Sequence, residues 1–177
     1  MTDTDTLNRN IVNDLDVDAL GAMVNEIAAD PSKAPARFGV TTRWTGQTRS
    51  ESSVHSIQVG GERIDRSFKI VADEPEELLG TNSAPNPQEL LLSALNACMT
   101  VGYVAGAAVR GITLDHREIE STGELDLRGF LDLSDAVPMG GRTVARERSD
   151  RPRDPVARDL LSREIEADVF CQVVGYE

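Results

Sequence analysis

Two cysteines, Cys98 and Cys171, carry the most distinctive chemistry in this chain. A thiolate is a nucleophile that can cycle through sulfenic acid and disulfide. Two thiols in a reducing compartment are therefore either a redox couple or a pair of inert core residues. Two are too few for a disulfide scaffold, and the two histidines, His55 and His116, offer little to a transition metal, so a structural zinc site is disfavoured. Sequence context has to decide between the readings. Cys98 lies in the apolar run LLLSALNACMTVG, and Cys171 in VFCQVVGYE near the end of the sequence. A thiol on an apolar helix face stays protonated unless a cation compensates its desolvation, so a reactive cysteine there requires a cation beside it.

The elements that must position these thiols belong to one ordinary domain, since 177 residues suffice for a sizeable core and are short for two. A composition of 40% hydrophobic and 27% charged residues is globular. No apolar run is expected to approach the roughly 20 residues of a bilayer span, so the protein reads as soluble and away from membranes. MTDTDTLNRN lacks a basic segment followed by an apolar core, so a cytoplasmic location is expected. A formal charge of −12 disfavours nucleic acid, because binding phosphates needs a basic surface. Residues 1–30 concentrate that charge, with Asp3, Asp5, Asp14, Asp16, Asp18, Glu26 and Asp30 against Arg9.

Leu15, Leu20, Val24, Ile27 and Ala28 recur at helical spacing, so residues 14–29 read as a short helix capped by Asp14 or Asp16, and residues 1–35 as an acidic helical segment. A strand follows around Arg37 to Thr48. Ser53–Val59 and Arg63–Val71 alternate apolar and polar residues, and Gly60–Gly61 between them suits a tight hairpin turn. Asp73–Pro87 reads as an ordered connector rich in proline and asparagine. From Pro87 to about Arg110 no further proline occurs, and Leu91, Ala94, Leu95, Cys98, Val101, Gly102 and Ala105 recur at three- and four-residue intervals. The other faces are also poor in charge, which predicts a long buried helix. Ile112 to Phe130 alternates again, as one strand or as two joined near Thr122–Gly123. After Pro138 the arginines are mixed with acids and read as a solvated face, with a helix expected over 156–169 and a strand at FCQVV.

The run GTNSAPNPQELLLSALNACMTVG, Gly80 to Gly102, resembles the signature of the OsmC/Ohr family. Its parts are a Gly-Thr-Asn loop with proline, Pro-x-Glu-Leu at a helix start, a helix of small and aliphatic residues, and a cysteine eleven residues after that proline. The upstream DEP and the downstream AAVRGITL and GELDLRGFLDLSDAVP extend the similarity over roughly residues 36–138, most closely to the branch with a GTN-x-APNP-like loop. Residues 36–177 then form the OsmC-like domain, of which 139–177 diverge from the family pattern.

The resemblance implies an α+β fold in which an antiparallel sheet wraps a long central helix, built as an intertwined homodimer with active sites between subunits. It implies a peroxidase that reduces organic hydroperoxides with Cys98 as nucleophile, Arg49 (or Arg43) as the activating arginine, Cys171 in the role of resolving cysteine, and an external dithiol as reductant. No metal, flavin or nucleotide cofactor is implied. Two positions depart from the pattern. The family's arginine-orienting carboxylate follows the helix-start proline, where this chain has Gln88, with the acid one residue later at Glu89. Its resolving cysteine precedes a proline on a second long helix, unlike Cys171. A non-catalytic protein on the same scaffold, holding a small apolar ligand or acting structurally, is the alternative. Tyr103 on the helix reads as packing, and His55 and His116 as structural or exposed.

Overall fold

The computed structural model describes residues 10–137, 141–149 and 165–169. The chain forms two compact units, residues 1–90 and 91–177.

In the first unit, strands β1 (Ile11–Val12) and β2 (Leu15–Asp16) form a small hairpin that the sequence pattern does not announce. Helix α1 (Val17–Ala29) follows, with the Asp16 side chain accepting from the Ala19 N–H at 2.9 Å as N-cap. Of the two caps open in the sequence, Asp16 is the one used. Asp30 ends α1 and caps a 3₁₀ turn at Pro31–Lys33, whose first position suits proline. The meander then comprises β3 (Ala36–Arg37), β4 (Thr41–Gly46), β5 (Arg49–Val59) and β6 (Glu62–Ala72). Every other strand of this sheet pairs antiparallel with β5. Gly60 and Gly61, at φ +56° and +84°, make the tight turn between β5 and β6.

The register of β4, β5 and β6 aligns Trp44 with Ser50 and Ala72, Thr42 with Ser52 and Ile70, and Val54 with Phe68. Cross-strand partners share a face, so Trp44, Val54, Phe68 and Ile70 lie on one side of the sheet. Most of that side is open to solvent, with Trp44 75% exposed and Phe68 and Ile70 also exposed.

Helix α2 (Pro87–Ala108) leads from the first unit into the second. From Leu90 to Ala108 it carries no charged residue, and by length and composition it is long and apolar enough to cross a membrane. That corrects the expectation that no apolar run comes near such a length. The expected burial is not seen within the single chain either, because only Ala107 and Ala108 of α2 are buried. Among the described residues, the buried apolar side chains are Ala72, Ala107 and Ala108, and no large hydrophobic joins them.

In the second unit, β7 (Arg117–Glu124), β8 (Gly141–Ser149) and β9 (Ile165–Val169) form an antiparallel sheet in that order. The alternating stretch from Ile112 to Phe130 is thus a strand only over 117–124. Asp126 then caps a single helical turn, α3 (Leu127–Phe130), accepting from the Arg128 N–H and binding the Arg128 guanidinium, which draws the Asp126 carboxyl down to about 2. Residues 165–169 are strand, which overturns the helix expected across them; 156–164 and the FCQVV segment from 170 lie outside the described residues. Strand β8 falls in the arginine-rich stretch. Its register puts Glu118 opposite Arg148, Glu120 opposite Arg146 and Glu124 opposite Arg142, so acids of β7 face arginine positions of β8 where apolar alternation would have marked a strand.

Candidate functional site

The helix bearing Cys98 is fixed at its start by a reciprocal cap. The Glu89 N–H donates to Asn86 Oδ1 and the Asn86 N–H donates to Glu89 Oε2, both at 2.8 Å, with Pro87 in the first turn where its missing N–H costs nothing. The signal for this cap, Asn-Pro-Gln-Glu, is legible in the sequence, although Asn86 escaped the sequence reading.

Ahead of the cap, the connector is organised by Asp73, whose carboxylate is fully buried. Thr48 Oγ1 donates to Asp73 Oδ1 at 2.8 Å. Thr81 Oγ1 and Ser83 Oγ donate to Oδ2 at 2.6 and 2.8 Å, and the backbone N–H groups of Thr81 and Ser83 add bonds of 3.1 Å each. Led by the Thr81 hydroxyl, with Thr48 and Ser83 behind it, these donors hold the Asp73 carboxyl well below the usual carboxylate range despite burial. The Gly-Thr-Asn-Ser loop is therefore bound to the end of β6 through one side chain. Gly80 is dictated by close approach, because a Cβ there would lie 1.8 Å from the Glu74 carbonyl oxygen.

Within the second unit, α2 packs against β7 through polar contacts. Asn96 Nδ2 donates to the Ile119 carbonyl at 3.3 Å, and Ser121 Oγ donates to Asn96 Oδ1 at 2.5 Å. The Arg117 guanidinium lies 4.0 Å from the centroid of the Tyr103 ring, a cation–π contact rather than plain packing. At 100° per residue, Leu91, Ala94, Leu95, Val101, Gly102 and Ala105 all fall within about 60° of the direction of Cys98. Asn96 and Tyr103 lie on the far side of the helix from it. Cys98 is consequently on the face turned away from β7, a free and exposed thiol in an apolar stripe where Val101 is 70% exposed.

The other residues singled out by sequence are placed as follows. Arg49 is exposed at the first position of β5, opposite Gly46. Arg43 is exposed on β4 opposite Glu51, whose carboxylate pairs with Lys69 at 2.8 Å. Both arginines belong to the first unit and Cys98 to the second. Glu89 is brought to Asn86 and serves as a helix cap. Gln88 is half-buried beside it. His55 is exposed at a bulge in β5, and His116 is exposed 3.6 Å from Glu118. Cys171 lies outside the described residues.

Comparisons with known proteins bear on the family and the fold. Residues 80–146 match the family model of the OsmC-like proteins. Among solved structures, the chain is similar to a Psychrobacter arcticus protein named for osmotic stress induction and a detoxification response. The two are 16% identical with a TM-score of 0.50, over 69% of this chain and 77% of that one. At that identity the likeness concerns the fold. A search of curated proteins found no match. This chain is α+β with antiparallel sheets, its fold is similar to that of the Psychrobacter protein, and the stretch that carries the Gly-Thr-Asn loop, Cys98 and β7 is similar to OsmC-like proteins.

Proposed function

We propose that this protein is an OsmC-like, thiol-dependent peroxidase acting on organic hydroperoxides, in the cytoplasm and as a homodimer. The observation that carries the reading is the placement of Cys98, an exposed free thiol centred on an apolar helix face. An organic hydroperoxide has an apolar body and a polar O–O head, and that face offers a hydrocarbon surface with a nucleophile in it. The Cys98 thiolate attacks the outer peroxide oxygen, the S–O bond forms as the O–O bond breaks, and the leaving alkoxide takes a proton to become an alcohol. Sulfur is left as sulfenic acid. An external dithiol then reduces it, with release of water and formation of the reductant's disulfide. Where Cys171 can reach, it condenses with the sulfenic acid first. Arg49, with Arg43 as the alternative, is the cation proposed to keep the sulfur anionic.

Dimerisation is supported by what the single chain leaves uncovered. Among the described residues no large apolar side chain is buried, while the stripe around Cys98 and the Trp44–Phe68–Ile70 side of the sheet stand open. An exposed patch of that kind marks an interface, and a second copy supplies a surface of the same composition in a closed two-fold arrangement. Neither a nucleic acid nor a membrane is proposed as partner.

The test is consumption of an organic hydroperoxide by the reduced protein. One equivalent should disappear per Cys98 without added reductant, Cys98→Ser should remove this entirely, and Cys171→Ser should keep the first turnover. Unchanged consumption by Cys98→Ser would end the proposal. One observation favours a second reading, a non-catalytic protein that holds a small apolar ligand: Glu89 is engaged as a helix cap and does not stand free to orient an arginine. That reading predicts saturable binding of an apolar probe with no loss of peroxide.

A further inference from the structure

Three carboxyl groups meet where the connector reaches α2, and they differ in how well they are served by donors. Asp73 receives the hydroxyls of Thr48, Thr81 and Ser83 together with backbone N–H groups. Glu89 receives the Asn86 N–H. Glu74 feels the charge of both, and its Oε2 is buried without a hydrogen-bond partner among the described residues. A buried carboxylate oxygen with no donor is costly, and the cost is removed if the group takes up a proton. Since hydroxyl and N–H donors hold Asp73 as an anion, the proton belongs on Glu74, whose own oxygen lacks a donor.

The backbone of Glu74 is also the hub of the connector. Its N–H donates to Asp73 Oδ1 at 3.0 Å, its carbonyl accepts from the Asn82 N–H at 3.0 Å, and Gly80 is pressed against that carbonyl. We propose that Glu74 is a protonation latch: with its carboxyl neutral the segment from Asp73 to Glu89 is locked, and its ionisation loosens the Gly-Thr-Asn-Ser loop that leads into the Cys98 helix. This inference does not depend on the peroxidase reading.

The charged groups that act on Glu74 are the carboxylates of Asp73 and Glu89, and the groups packed on its backbone, Thr48, Gly80 and Asn82, are neutral. Burial first, and the two neighbouring charges second, raise its proton affinity above that of an ordinary glutamate. A carboxyl whose folded-state pKa is raised binds its proton more tightly folded than unfolded. Its contribution is therefore most favourable at low pH and is lost as pH rises through the folded value.

The experiment compares wild type with Glu74→Gln, which mimics the protonated state, in thermal unfolding and in amide exchange of Thr81 and Ser83 from about pH 5 to about pH 8. The wild-type midpoint should fall across that range, the variant's should lose this component of the slope, and at the upper end the variant should melt a few degrees above wild type with slower exchange at both amides. A Glu74→Gln protein that melts below wild type at about pH 8, as loss of a carboxylate paired to a cation from a second copy would cause, overturns the proposal. So does a variant with the wild-type slope, or one that fails to fold. In the wild type, a Glu74 carboxyl signal that titrates by NMR at or below the ordinary glutamate value overturns it as well.

Discussion

The connector from Asp73 to Glu89 and the helix that follows it handle polarity in opposite ways. In the connector a charged group, Asp73, is the fully buried side chain, and its oxygens are served by hydroxyls and N–H groups of the same chain. Along α2, polar Asn96 is turned onto β7 while the hydrocarbon of Leu91 and Val101, with Cys98 between them, is left in solvent. Buried polar groups must be satisfied locally, because an unmade hydrogen bond costs more than a made one returns. Apolar surface has no such need for a particular donor, so its cover can come from another molecule. The contrast marks the face that carries the thiol as apolar surface left open by the single chain.

Four substitutions sharpen or break that contrast, in descending order of expected effect. Val101→Asp places a charge in the middle of the open stripe. If a second copy covers that face, each protomer buries an unpaired charge at about 3 kcal/mol or more, and with two such charges per dimer sedimentation equilibrium should show the dissociation constant raised by a factor of about 10,000 or more. An effect within about 0.5 kcal/mol, the ordinary size for an exposed site, would mean the stripe stays in water. Gly80→Ala drives a methyl into the Glu74 carbonyl, and denaturant unfolding should register a loss of about 3 kcal/mol. Asp73→Asn should act through pH. Asp73 has a lowered folded-state value, so its stabilisation is present above the unfolded carboxylate value, near 3.8, and disappears as pH falls through the folded one. The variant should accordingly be less stable than wild type at neutral pH, with the gap narrowing as acid titrates the wild type. Glu89→Gln keeps an acceptor for the Asn86 N–H and should cost only about 0.5 kcal/mol, with hydroperoxide consumption retained. A large loss of consumption at unchanged stability would restore Glu89 to the role of arginine-orienting carboxylate.

Much of the connector and the meander is legible from sequence because local rules dictate them. Gly60–Gly61 sets a hairpin, Asp16 caps a helix, and proline followed by an acid in the first turn starts α2. The cradle around Asp73 is less legible, since Thr48, Thr81 and Ser83 are ordinary turn residues until the fold gathers them on one carboxylate. The second sheet is the least legible part. Strand β8 has charge alternation that answers Glu118, Glu120 and Glu124 of β7 and not an apolar period, so a search for hydrophobic alternation passes over it. The helix at 87–108 is legible in extent but not in cover. An apolar pattern says that a face avoids water, not whether the same chain or another provides the shelter. For the same reason Cys98 could be singled out from its context, whereas the identity of a cation that would activate it depends on placements that a sequence pattern does not encode.

The most direct measurement exposes the reduced Cys171→Ser protein to one equivalent of cumene hydroperoxide in the presence of dimedone and then maps the modified cysteine by mass spectrometry. A nucleophilic thiol on an open apolar face predicts a dimedone adduct on Cys98 with matching loss of the peroxide. Intact peroxide, together with a Cys98 that can be alkylated only after denaturation, would contradict the account.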